Sequence, residues 1–309
     1  MLAAVSLLAV VPSTGFAAEA AWRAASLLTV ASVTVAVVET TRRRRLADSL
    51  LMRRVGMWWL IGPLFFGAAL GGVLTMAVFA VGVILQSLRE FARLVGLGRI
   101  ARSALVVAGV GAIMSMALAP SLSGAIGPIF LVGMAAAYLA DGRTGGAVGQ
   151  LGGAVFGLTW IVLPLGLLVE MRRGDDGLLL VVLVGLGVAL SDVGAFVVGS
   201  LLGRQRLTPV SPNKTRAGLA GNVAGATGAT ALLWFGAPPE WTVATGALLT
   251  SAIVIGAVVG DLTESLVKRE AGVKDAGRAL PGFGGVLDRI DSLLFASPLV
   301  YVAVVLGVG

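Results

Sequence analysis

The chain has 309 residues, 57% of them hydrophobic and 13% charged, with a mean hydropathy of +0.97. Soluble domains carry about 25% charged residues, so this composition excludes a water-solvated globule and reads as an integral membrane protein. The absence of cysteine and histidine excludes disulfides, thiol catalysis, Cys/His zinc sites and imidazole proton shuttles, and the net charge of +7 is explained by basic loops on one side of a bilayer without a nucleic-acid partner.

A spanning helix needs about 20 apolar residues. Stretches near 2–17, 24–40, 56–70, 72–88, 103–119, 123–140, 149–169, 177–200, 217–236, 241–260 and 292–308 meet that need, which predicts an all-α polytopic protein of about 9–11 transmembrane helices. The first stretch lacks the basic n-region of a signal peptide. Residues 55–88 contain no charge; as one helix they would run about 51 Å, well beyond the hydrocarbon core of about 30 Å. A turn at Gly71-Gly72 is therefore expected.

With that turn, Arg42–Arg45, Arg53, Arg54, Arg89, Arg93, Arg99, Arg102, Arg143, Arg204, Arg206, Lys214, Arg216 and the 261–291 segment fall on one side. The other side receives Arg23, the loops at 120–123 and 237–240, and the nearly neutral run Glu170–Asp176. The positive-inside rule makes the basic side cytoplasmic. The basic run 42–54 also separates residues 1–52, a helical extension with two apolar helices, from a membrane domain over 53–309. Glycine is abundant at 44 residues, and its small-xxx-small spacings read as close helix packing.

Charge concentrates between Asp261 and Asp291, where Glu264, Lys268, Arg269, Glu270, Lys274, Asp275, Arg278, Asp288 and Arg289 complete the set. A solvated connector with self-paired ions is one reading. The other starts from chemistry: carboxylates without His or Cys suit hard cations such as Mg²⁺, lysines and arginines bind phosphate oxygens, and the turn Pro281-Gly282-Phe283-Gly284-Gly285 lets backbone approach a phosphate. These are the parts of a phosphoryl or nucleotidyl transfer site. Asp192, inside the apolar 177–200 stretch, tips the balance, because an intramembrane carboxylate is a functional hypothesis by default. A polar loop follows it, Gly203 to Thr215, with two arginines, a lysine and two prolines.

These residues resemble the phosphatidate cytidylyltransferases, or CDP-diacylglycerol synthases. The family signature runs Ser-x-x-Lys-Arg, four residues, Lys-Asp-x-Gly, a spacer, Pro-Gly-His-Gly-Gly, two residues and Asp-Arg-x-Asp. This chain carries Ser265, Lys268-Arg269, Lys274-Asp275, Gly277, Pro281-Gly282, Gly284-Gly285, Asp288-Arg289 and Asp291 in that register. Gly260-Asp261-Leu262, Ser191-Asp192-x-Gly194-Ala195-Phe196 and Ser211-Pro212-x-Lys214-Thr215 also look like the family, and the resemblance covers roughly residues 53–309. Phe283 departs from it, standing where the family has His; the glycines and carboxylates are kept, so an altered acceptor or rate is expected rather than loss.

The resemblance implies CTP + phosphatidate → CDP-diacylglycerol + pyrophosphate with Mg²⁺, in a bacterial plasma membrane and with the active site facing the cytoplasm. It implies metal on Asp261 and Asp288. Lys268, Arg269, Lys274 and Arg289 would act on phosphates, with Asp275 and Asp291 orienting those bases or the metal. Substrate contacts would come from Asp192, Ser211, Lys214 and the backbone at Gly284 and Gly285. Three alternatives stand beside this reading: transfer to another lipid phosphate, a non-catalytic paralogue, and a transporter coupled through Asp192. The transporter leaves the 261–291 constellation unexplained and lacks the expected internal repeat. A homodimer is the default by symmetry statistics alone.

Overall fold

A computed structural model describes residues 14–41, 50–142, 145–280 and 284–307, and the described residues form helices joined by short turns. The helices are α1 (Thr14–Thr41), α2 (Leu50–Leu70), α3 (Val73–Leu94), α4 (Arg99–Leu118), α5 (Ile126–Asp141), α6 (Ala147–Gly157), α7 (Leu163–Met171), α8 (Gly177–Leu202), α9 (Arg216–Leu233), α10 (Val243–Glu270) and α11 (Leu287–Gly307). A 3₁₀ turn, Pro120–Ala125, leads into α5, and a π turn, Leu158–Val162, joins α6 to α7. Among the described residues, eight helices are long and apolar enough to cross a bilayer, and Val55–Leu70 is a shorter apolar one.

The α2–α3 turn falls where expected: Gly72 adopts φ +94°, a conformation that L side chains rarely accept. Successive spans then alternate in direction, with α6 and α7 running on as one span, Ala147–Met171. The connections at 95–98, 203–215 and 271–286 share one end, the site end. The turns at 71–72 and 172–176 and the 234–242 segment share the far end.

Backbone carbonyls stitch the far end together. Arg172 Nε donates to Ala69 O at 2.5 Å, and Arg173 Nη2 donates to Met116 O and Ala117 O at 2.6 and 2.9 Å. At the site end, Gln150 bridges the α3–α4 turn, accepting from Gly98 N at 2.6 Å and donating to Gly96 O at 3.1 Å.

Two helix pairs position the functional residues, and each meets through glycine. A Cβ at Gly194 of α8 would run into the Gly221 carbonyl of α9, and one at Gly256 of α10 would meet the backbone of Ala296 in α11. In lipid, where apolar area gains nothing by leaving hydrocarbon, such close backbone approach is what holds helices together. Asn222 adds a polar tie, donating to Ser191 Oγ at 3.0 Å and Ser191 O at 3.2 Å immediately before Asp192.

Two expectations need correction. Arg23 is not in a loop between two N-terminal spans: α1 runs unbroken from Thr14, past it, to Thr41. No proline lies in that stretch and its one glycine, Gly15, sits in the first turn; Arg23 pairs with Glu19 one turn earlier at 2.7 Å while donating to Leu232 O at 2.7 Å. The span at 241–260 does not stop where charge begins, since α10 continues to Glu270. Residues 1–13, which carry most of the first predicted span, lie outside the described residues, as do Arg42–Arg45 and Arg143.

Candidate active site

The continuation of α10 organises the charges. Asp261, Glu264, Ser265 and Lys268 recur at helical spacing, so one face of α10 presents them toward α8 and α11. Ser265 Oγ donates back to Asp261 Oδ1 at 3.3 Å, and Lys268 Nζ is bonded to Glu264 Oε2 one turn before it. Gly272, at φ +69°, ends the helix; its N–H bonds Arg269 O at 3.0 Å and the Val273 N–H bonds Lys268 O at 2.9 Å. This is a Schellman termination.

Two carboxylate groupings result. The first is open. Lys214 Nζ lies 2.7 Å from Asp261 Oδ2, and Asp192, Asp261, Asp291, Lys214 and Ser292 are all close enough to interact electrostatically or by hydrogen bond. Asp192 is exposed within α8, about 15 Å in from Leu202 at about 1.5 Å per residue. Lys214 reaches this cluster because residues 205–216 fold back as a tight hairpin. Leu207 N donates to Lys214 O at 2.8 Å and Arg216 N to Gln205 O at 2.9 Å. The tip is a Ser211-Pro212-Asn213-Lys214 turn closed by Lys214 N to Ser211 O at 3.0 Å, with proline at the position whose φ it pre-sets. Thr215 caps α9, accepting from Gly218 N at 3.0 Å.

The second grouping is closed. Lys268 sits between Glu264 and Asp288, with Nζ 2.8 Å from Asp288 Oδ1. Asp288 also accepts from Ala276 N at 3.1 and 3.0 Å and from Gly285 N at 2.7 Å. Both Asp288 oxygens are therefore engaged, and the carboxylate pins the two flanks of the 271–286 connection to the start of α11.

Arg269, Lys274, Asp275 and Arg289 are exposed on the same end, and Arg269 Nη1 donates to Val273 O at 3.2 Å. The structure thus gathers Asp192, Lys214, Asp261 and Asp291. Lys268 and Asp288 lie in the adjoining closed network, Gly285 is held by Asp288, and Gly284 takes φ +89°. Ser211 contributes through its carbonyl. Phe283 lies outside the described residues.

The sequence reading passed over Glu90. It is fully buried on α3; Oε2 accepts from Leu287 N at 2.9 Å and Oε1 from Gln86 at 2.9 Å. The available signal was its register, since Ser87, Glu90 and Phe91 continue the buried stripe of Met76, Ala80 and Ile84.

The donor chemistry of the open grouping suits a hard divalent cation, since Asp192, Asp261 and Asp291 offer oxygen without nitrogen or sulfur ligands, with Lys214 beside Asp261 and with Lys268 and Arg289 acting on Asp291. Among the described residues no three such groups already converge on one point. A cation at Asp261 would have to share or displace its bond to Lys214, and one at Asp288 its bond to Lys268.

The fold and site together define a polytopic helical membrane protein with an oxygen-rich, partly basic cluster at one end of its bundle. The family model for cytidylyltransferases matches residues 52–306, and the chain belongs to that family. A phosphatidate cytidylyltransferase of Pseudomonas aeruginosa is 34% identical over 269 residues, 81% of this chain and 91% of the relative. Those of Synechocystis and Mycobacterium leprae are 47% and 40% identical over 135 and 143 residues, or 42% and 45% of this chain. In these two alignments the chain spans about half the length of the curated relatives, 44% and 45%.

Proposed function

We propose that the chain transfers the cytidylyl group of CTP to phosphatidate, releasing pyrophosphate and leaving CDP-diacylglycerol in the bilayer. A phosphate oxygen of the lipid forms the new bond to the α-phosphorus of CTP as the bond to the β-phosphate's bridging oxygen breaks. The pyrophosphate leaves with that electron pair. No protein nucleophile is needed, in keeping with a chain that has no Cys or His. The protein's part is to bring two polyanions together and to offset developing charge.

The observation that carries this reading is the meeting of Asp192, Asp261, Asp291 and Lys214, contributed by α8, α10, α11 and the 203–215 hairpin, in a member of this family. Mg²⁺ held by Asp261, with Asp288 as the second ligand that the resemblance implies, would supply charge neutralisation at the reacting phosphates. Lys214 pairs with Asp261, and an incoming phosphate would compete with that carboxylate for its ammonium. Lys268 can turn to a phosphate only by leaving Asp288. Arg269, Lys274 and Arg289, exposed at the rim, would draw the nucleotide in. The concentration of basic residues at the site end, against Arg23, Arg172 and Arg173 toward the far end, supports a cytoplasmic site, where CTP is found.

The test is incorporation of label from CTP into lipid by the purified protein in mixed micelles with Mg²⁺. Phosphatidate should yield labelled CDP-diacylglycerol and equimolar pyrophosphate. Absence of labelled lipid overturns the reading; labelling of a polyprenyl phosphate instead moves the acceptor but keeps the chemistry.

A further inference from the structure

We propose that Glu90 is a positioning residue of the transfer site: from α3 it sets the start of α11 and so aligns Asp288 and Asp291 with Asp261. This inference rests on the cytidylyltransferase reading for its kinetic consequences, though not for its structural ones. Four observations carry it. Glu90 is fully buried in a stripe of apolar side chains, where a carboxylate is expensive unless its oxygens are used. Its oxygens are used by Gln86 and by Leu287 N, 197 residues away in sequence. Leu287 opens α11, and its N–H is one of the orphan donors that a helix start leaves, where a negative charge is also favoured.

The third observation is a division of labour. Gly285 N goes to Asp288 and Leu287 N goes to Glu90, so two carboxylates grip alternate N–H groups of the same short stretch. The fourth is steric. A Cβ at Gly277 would come within 2.5 Å of Glu90 Oε1, and one at Gly285 within 2.5 Å of Oε2. The 271–286 connection therefore folds against this carboxylate on both flanks, and glycine is needed where it touches. Phe91, the next residue, packs on Trp160 and Phe156 with ring centroids 5.9 and 5.8 Å apart, which anchors that turn of α3. Asp288, whose placement follows, is in direct contact with Lys268; Asp291 lies one turn further along α11.

The experiment compares Glu90→Ala, Glu90→Gln and Gly277→Ala with wild type by two readouts. Hydrogen exchange over residues 276–290 should be at least about tenfold faster in Glu90→Ala, with α4 and α7 unchanged, because Leu287 N–H loses its acceptor. The kcat of Glu90→Ala should fall about 10- to 100-fold, the range for residues that orient ligands from behind, while KM for CTP stays within about threefold. Glu90→Gln, which keeps an acceptor for Leu287 N–H, should recover most of both. Gly277→Ala, pressing on Glu90 from the connection, should reproduce the kinetic loss and provides the readout if Glu90→Ala does not fold. Wild-type exchange in Glu90→Ala, or wild-type kcat in both Glu90→Ala and Gly277→Ala, overturns the proposal. Absent wild-type turnover overturns the enzyme reading instead, and the exchange comparison still decides the role of Glu90.

Discussion

At the far end of the bundle Arg172 and Arg173 turn their guanidinium groups on the carbonyls of Ala69, Met116 and Ala117. At the site end Asp192 and Asp261 share Lys214, with Asp291 beside them. Both ends of the bundle carry charge, but its partners differ. The far-end cations complete helix termini whose last carbonyls would otherwise lack donors, through Arg172 Nε and Arg173 Nη2. At the site end charge meets charge, Lys214 pairing with Asp261 while Asp192 is exposed nearby. Charge consumed by backbone reads as scaffold, whereas side-chain pairs can be exchanged for a ligand, as the proposed function requires. Even within the site end the contrast recurs, since the Lys268–Asp288 network is closed around the connection and the Lys214–Asp261 pair is not.

The comparison can be broken at either end. Lys214→Ala should lower CDP-lipid formation by about 100-fold, the scale of losing one donor aimed at developing charge. Lys214→Arg should recover only part of it, because a planar fork replaces a point charge. A stopped assay on purified, folded protein checks both, and unchanged turnover would make the open cluster a structural pair.

Arg172→Gln should do the reverse, lowering thermal stability by about 1–3 kcal/mol, because Ala69 O loses a charged donor in a buried place. Turnover per folded molecule should be retained. A thermal melt beside the same stopped assay would detect the opposite pattern.

The smallest effect belongs to Asp176, in the far-end turn before α8, whose carboxyl is raised above its usual range by burial and then by Glu240 and Asp175. A raised carboxylate pKa means that the fold disfavours the charged form. This penalty is present in full above the raised value and is relieved as pH falls through it toward the ordinary carboxylate range. Glu240→Gln removes one repelling charge and should raise the melting midpoint at pH 7, by at most a few tenths of a kcal/mol given solvent screening. A pH series of melts on the two proteins measures it.

Much of this was legible in the sequence because hydropathy and glycine act locally. The turn at Gly71-Gly72 follows from a charge-free run too long for one span, and the small-residue spacings of α8 and α9 correspond to real backbone approach. The register from Ser265 to Asp291 pointed to the site end. The exit of α10 was harder to see, since hydropathy drops at Asp261 while the helix continues to Glu270. Its continuation rests on pairs one turn apart, Ser265 with Asp261 and Lys268 with Glu264, which a window of hydropathy averages away. Arg23 misled for a related reason: a charge inside α1 is tolerated because Glu19, Leu232 O and the Phe235 ring 4.1 Å away satisfy it. Glu90 was masked by its neighbours, since Arg89 and Arg93 on the exposed face made the whole turn look like a loop margin. Only contact with Leu287, far along the chain, distinguishes it.

The most direct measurement is the turnover of Asp261→Asn, purified and shown by its melt to be folded, with labelled CTP, phosphatidate and saturating Mg²⁺. Asparagine keeps the size and an acceptor oxygen but removes the negative charge on which both Lys214 and a hard cation depend. The expected result is a loss of about 10³-fold in CDP-diacylglycerol formation with the melting midpoint near that of wild type. Turnover within a few-fold of wild type would contradict the assignment of the open carboxylate cluster as the place where transfer occurs.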